Sequence, residues 1–446
     1  PDPDQALNNF EAFVSGMGAR GTLYSLLADN PRILEPILTL FSDSEYLSRI
    51  IISRPEIVEP MLRFNPAVAS RSRRGLVSEL SEMIAMHDNI ASRIDAIRRF
   101  KNLEEIRLGL RDLMGDAPFQ ETTRGLTRLA EACAEAALSL AWEETSARYG
   151  APSGGEFCVV GLGKLGGREL SYGSDLDIIF IYEKSGETTG GSLGTIVDHE
   201  FYSRVANRLM SHLTTMTREG IAYKIDARLR PGGSKGPLAT SMETLTRYFL
   251  EPGGADVWER QALLKARVVA GKRGLIDRLR SLVRESVALT AELPDLEEKV
   301  SQMRKRMEDE LGRSSDGYNF KTGPGGMVDV EFLAQYLQLR HGKAKPCIIA
   351  PSTLQAIRLA GDHGLLSEQE TTLLTEGYLF LRRMEGKIKI TGIATSVLPT
   401  GNRTKMELLA RRLGYAEADG ADRVVEDYLA VTGGIRTIFT KFVGEG

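Results

Sequence analysis

From Leu7 to Tyr149 apolar residues recur every three or four positions between short polar turns, the spacing of amphipathic helices packed on one another. Asn30-Pro31 reads as the end of one helix and the start of the next. Leu126, Leu129, Ala130, Cys133, Ala137, Leu140 and Ala141 make one continuous stripe along a long helix. The pattern breaks at Gly150 to Gly155, and the runs that follow, Phe157-Cys158-Val159-Val160 and Ile178 to Tyr182, are apolar at consecutive positions. These predict strands, the second covered on both faces. Thr188 to Gly194 predicts a mobile loop, Val197 to Met216 a helix lying on the sheet, and Ile221 to Leu229 a further strand. Helical spacing returns near Leu245 and, past Ala270, runs to the end apart from breaks at Gly323-Pro324-Gly325-Gly326 and Leu398-Pro399-Thr400-Gly401. The expected fold class is α+β and mostly helical. A helical domain at 1–150 and a helical bundle at 273–446 would flank a small α/β domain with a mixed sheet at 151–272.

The length of 446 residues agrees with about three domains. With 42% hydrophobic and 26% charged residues, and no apolar run near the roughly 18 residues of a membrane span, no membrane association is expected. The formal charge of -3 gives no long-range pull on nucleic acid. Pro1 to Asn9 lack a basic and apolar leader, and Cys133, Cys158 and Cys347 lack C-x-x-C spacing, so free buried thiols and a cytoplasmic location are expected. The five histidines are scattered without metal-ligand spacing.

Chemistry concentrates after the first strand. Gly161-x-Gly163-x-x-Gly166 matches a dinucleotide fingerprint, but the acidic residues come too early for that fold, and Leu165 after Lys164 rules out a P-loop. A better reading is a glycine turn, Gly163, Lys164, Gly166 and Gly167, approaching a triphosphate, followed by Ser174-Asp175-Leu176-Asp177. Asp175 and Asp177 point to one side of a strand, where two carboxylates repel unless a cation lies between them. Oxygen-only ligands favour Mg²⁺ or Mn²⁺ over zinc. On the predicted strand 221–229, Asp226, Arg228 and Arg230 share a face, giving a third carboxylate and two arginines for phosphate oxygens. Three carboxylates suffice for two divalent ions.

The arrangement of Gly163, eleven residues, then Asp175-x-Asp177 is similar to the nucleotidyltransferase signature. Gly-Leu-Gly-Lys-Leu-Gly-Gly-x-Glu-Leu with Ser-Asp-Leu-Asp resembles glutamine synthetase adenylyltransferases, as do Asp226 to Pro231, Trp258 to Arg267 and Gly323 to Phe332, in that order. The resemblance covers nearly the whole chain and implies a nucleotidyltransferase-like α/β domain. That family is bifunctional: one half transfers AMP from ATP to a tyrosine of glutamine synthetase, and the other removes it by phosphorolysis, giving ADP. One Gly-x11-Asp-x-Asp block is present, so the chain resembles a single half. Its lead-in, Leu23 to Pro31 and Arg98-Arg99-Phe100-Lys101-Asn102, resembles that of the C-terminal, adenylylating half. The implied reaction is Mg-ATP-dependent AMP transfer with release of pyrophosphate, with glutamine synthetase as substrate and a nitrogen-regulatory signal protein as a further partner.

Other charged or aromatic positions read as structural. Trp258, Gln261, Ala262 and Lys265 form a helical stripe, with Trp258 packed on the sheet and Lys265 reaching outward. Lys265, Arg267, Lys272 and Arg273 read as solvated surface, and Asp329 and Glu331 as acids opening a helix.

Overall fold

A computed structural model describes residues 2–16, 28, 31–58, 71–312, 317–392, 395–415 and 417–444. Asn30 and nearly all of the lead-in Leu23 to Asn30 lie outside them, while Pro31 opens a helix. Among the described residues six α-helices come first: α1 (Pro3–Gly16), α2 (Pro31–Asp43), α3 (Glu45–Ser53), α4 (Arg73–Ala85), α5 (Ile90–Leu113) and α6 (Phe119–Tyr149). The predicted stripe on α6 is buried throughout. Then follow β1 (Phe157–Gly161), α7 (Gly163–Gly167), β2 (Leu176–Tyr182), α8 (Asp198–Thr214), β3 (Ile225–Asp226), β4 (Ala239–Ser241), α9 (Met242–Leu250), α10 (Val257–Leu263) and β5 (Arg267–Gly271). The chain closes with α11 (Leu275–Thr290), α12 (Leu296–Leu311), α13 (Met327–His341), α14 (Thr353–Asp362), α15 (Glu368–Lys389), α16 (Arg403–Leu413) and α17 (Gly420–Val443). The fold is α+β and mostly helical, with a small mixed sheet.

The sheet runs β3-β2-β1-β5, and β4 also pairs with β2. β1 is antiparallel to β2 and β5, whereas β3 and β4 lie parallel to β2 along its other edge. Because strand side chains alternate, β1 and β2 serve two cores at once. Phe157, Val159, Ile178, Phe180 and Tyr182 join the core of α1–α6 and α8. Cys158, Val160, Ile179 and Ile181 join the core of α9–α17. That two-sided cover explains the consecutive apolar runs.

Several expectations are corrected. The strand expected over 221–229 shrinks to Ile225–Asp226, because the chain leaves the sheet at Ala227 for a turn containing Pro231-Gly232-Gly233. Thr188 to Gly194 is held by bridges of Thr188 to Pro152 and Gly191 to Gly194, and Thr188 is buried. Trp258 is 43% exposed rather than packed on the sheet. Cys347 is exposed, unlike Cys133 and Cys158. Arg267 opens an unforeseen edge strand, and Lys265 is buried.

Candidate active site

β2 enters the sheet directly after the exposed turn that carries Asp175, so Asp177 is the second residue of an otherwise buried strand. Its neighbour across the parallel ladder is Asp226 on β3, paired in register. Side chains at paired positions project from the same face, which sets the two carboxylates side by side. Gly163 closes the site from the turn after β1. It sits at φ +48°, and a Cβ there would fall 2.2 Å from Asp177 Oδ2. Only glycine allows so close an approach. Burial, then the charges of Asp226 and Asp175, raise the Asp177 carboxyl to about 6 against the lowering effect of Lys164 and Lys321. Among the described residues no donor meets the Asp177 carboxylate.

Asp226 is held differently. The Arg228 amide donates to Oδ1 at 2.9 Å, and its guanidinium meets both oxygens, at 3.0 Å from Nε and 2.5 Å from Nη2. These bonds keep the Asp226 carboxyl below its ordinary range. Arg228 is exposed, so this pair faces water. Arg230 does not share a face with them. Its guanidinium donates to the carbonyls of Ala227, Ser234 and Gly236, closing the turn after β3. It is a clasp on the chain rather than a free phosphate contact.

The rest of the glycine turn also departs from expectation. Lys164 Nζ pairs with Glu385 of α15 at 2.5 Å. Although burial opposes it, Lys164 and Arg382 hold the Glu385 carboxyl far below the usual range. A Cβ on Gly166 would fall 1.9 Å from the Lys265 carbonyl, and one on Gly167 would fall 2.8 Å from Glu169 Oε2. Both glycines therefore make room for close packing. Ser174 Oγ accepts from the Ser171 amide at 3.1 Å, which shapes the turn before Asp175.

Support for the site comes from residues to which the sequence reading gave no part in it. Arg98 is fully buried and donates to the carbonyls of Thr215 and Gly220, while Asn102 donates to Glu219. Together they pin the hairpin that delivers β3. Lys265 meets Glu169 at 3.0 Å, and Glu169 accepts from Thr353 as well. Lys321, exposed on the loop before α13, acts electrostatically on Asp177. The positive residue just before Gly323-Pro324-Gly325-Gly326 was the available signal for it.

Among the described residues no three acids, imidazoles or thiols already form a metal cage. The donors nevertheless suit a hard divalent cation: they are all oxygens, and a cation offsets both the burial and the neighbouring carboxylate charge that raise the Asp177 carboxyl. A cavity of about 690 Å³ opens beside Asp175, lined also by Ser171, Ser174, Lys101, Tyr223 and Lys224, which is ample for a nucleoside or a tyrosine side chain. No helix among the described residues is long and apolar enough to cross a membrane.

Comparison with known proteins agrees with this chemistry. Residues 295–443 match the family described as GlnD PII-uridylyltransferase, another nucleotidyltransferase. Residues 34–281, more than half of the chain, match the family described as Glutamate-ammonia ligase adenylyltransferase. The chain thus belongs to the glutamate-ammonia ligase adenylyltransferase family, nucleotidyltransferases that act on glutamine synthetase with ATP and a divalent metal.

Proposed function

We propose that this chain adenylylates glutamine synthetase, moving AMP from Mg-ATP to a tyrosine hydroxyl with release of pyrophosphate. The observation that carries the chemistry is the in-register pairing of Asp177 with Asp226 against the bare backbone of Gly163. Asp175, Asp177 and Asp226 would hold Mg²⁺, two ions in the full complex, which supply Lewis-acid polarisation of the phosphate. The chain's own residues do the rest. The carboxylates fix the metal side of the triphosphate, and Lys321 adds positive charge on the same side. One of these three carboxylates would take the proton of the incoming tyrosine, whose ordinary pKa is near 10. Asp226 would give up its exposed ion pair with Arg228 to help hold the metal. The resemblance of Arg98 to Asn102 to the lead-in of the adenylylating half supports the direction of transfer.

The units 1–150, 151–272 and 273–446 would divide the work, the central one holding nucleotide and the outer ones presenting the acceptor. The match over 295–443 supports a signal protein of the PII type as a regulator. Incubating the chain with unmodified glutamine synthetase, ATP and Mg²⁺ should add the mass of AMP to one tyrosine. No added mass, with ADP formed instead from modified enzyme and phosphate, would reverse the assigned direction.

A further inference from the structure

The far edge of the sheet carries a second concave site. β5 is the strand most distant from β3, and along it opens a cavity of about 530 Å³, between α7, α11 and the chain around Pro351. Arg73, Arg168, Arg267, Arg273, Arg280 and Arg284 line it, with Glu131 as the single acid in its wall. Arg267 and Arg73 share that acid, at 2.6 and 3.1 Å, Arg73 also meets Glu135 at 2.8 Å, and Arg280 reaches Asp277 at 3.3 Å. Among the described residues no carboxylate meets Arg168, Arg273 or Arg284. Six arginines thus meet only Glu131, Glu135 and Asp277 among the described residues, so the cluster is short of negative charge; Arg168 and Arg73 also repel the Arg267 guanidinium, which burial lowers against the pull of Glu131.

Arg168 adds a second, independent sign. It is the one non-glycine among the described residues with positive φ, at φ 60° and ψ 41°. It closes α7, a position where glycine carries no strain. A long side chain kept in such a conformation points to a use for that side chain.

We infer that this cavity binds a small organic phosphate, its phosphate held by Arg168, Arg273 and Arg284 and its body resting on Leu279, Val283 and Ile349. Guanidinium forks match phosphate oxygens, and the volume is that of a small-molecule pocket rather than a flat face for an acidic protein. The site also adjoins the catalytic turn. Arg267 donates to the carbonyls of Leu165 and Gly166, at 2.8 and 3.0 Å, within the helix whose first residue touches Asp177.

The test is calorimetric titration of the full chain with AMP in EDTA, where no cation draws phosphate to the catalytic carboxylates. AMP should bind, and adenosine should not. Affinity should fall at least tenfold in R168G, which keeps the backbone turn and melts no lower than wild type, and in R273E/R284E. Equal affinity in wild type and both variants overturns the inference, as does no binding at millimolar AMP. Citrate binding as tightly as AMP overturns the phosphate assignment, and capture of polyglutamate without AMP makes this a protein-docking face instead. No turnover is measured, so the outcome does not depend on the direction of AMP transfer.

Discussion

Charges gather on two sides of α7, and they are treated in opposite ways. On one side Asp177 lies in register with Asp226, with Asp175 on the turn before it, and the carboxyl of Asp177 is pushed up to about 6 by burial and by these neighbours. On the other side Glu169, Lys265, Arg382 and Glu385 are buried, with Lys164 half-buried beside them, and opposite charges meet: Glu169 takes Lys265 and Thr353, and Glu385 takes Lys164. A compensated network holds helices in place, whereas an uncompensated one stores a demand for a cation. The first cluster is expected to govern turnover and the second to govern folding.

Replacing Asp177 with Asn should break this division most visibly. Loss of a metal-binding carboxylate should lower kcat/KM on the order of 10³-fold while the fold persists. A steady-state assay with glutamine synthetase checks it; near-normal turnover would remove Asp177 from the mechanism. Next comes Lys265→Met, which strands Glu169 without its cation. It should destabilise the chain by about 3–5 kcal/mol in denaturant melts, and a loss under 1 kcal/mol would show that Glu169 is well satisfied by Ser352 and Thr353 without it.

The legibility of the two clusters in the sequence differs for a related reason. Asp175 and Asp177 announce themselves because they stand two apart beside an apolar run and a glycine turn. Their partner network does not, since Glu169 meets Lys265 and Thr353, and Lys164 meets Glu385, only through tertiary packing. Lys265 among other basic residues looks like surface until Glu169 is placed beside it. The sheet was readable at β1 and β2, which are apolar on both faces. It was not at β5, whose Arg267-Val268-Val269-Ala270-Gly271 is half-buried and flanked by charge. The alternation from Ile221 to Leu229 looked like a strand, but only two residues find a neighbour before the glycine-proline turn draws the chain away.

A third test uses pH. Because the folded Asp177 binds its proton more tightly than the unfolded chain does, its contribution favours folding below pH 3.8 and is lost as pH rises through about 6. The loss is on the order of 3 kcal/mol. Asp177→Asn should therefore be more stable than wild type at pH 8 and no more stable at pH 3.5. Mg²⁺ should recover part of the difference for wild type above pH 6 and give the variant less; equal responses in thermal melts would dissociate Asp177 from metal binding. The smallest effect belongs to Arg228→Gln. Releasing Asp226 from an exposed partner should lower the Mg²⁺ needed for half-maximal activity by no more than about fivefold. A larger change would give Arg228 a direct hold on substrate.

Lys164 ties these two regions mechanically. It follows Gly163, whose backbone lies against Asp177, and its ammonium is fastened to Glu385 near the end of α15. The carboxylate edge of the sheet and α15 are therefore geared together through two consecutive residues. Displacing α15 must either tear that fastening or tug the backbone lying against Asp177.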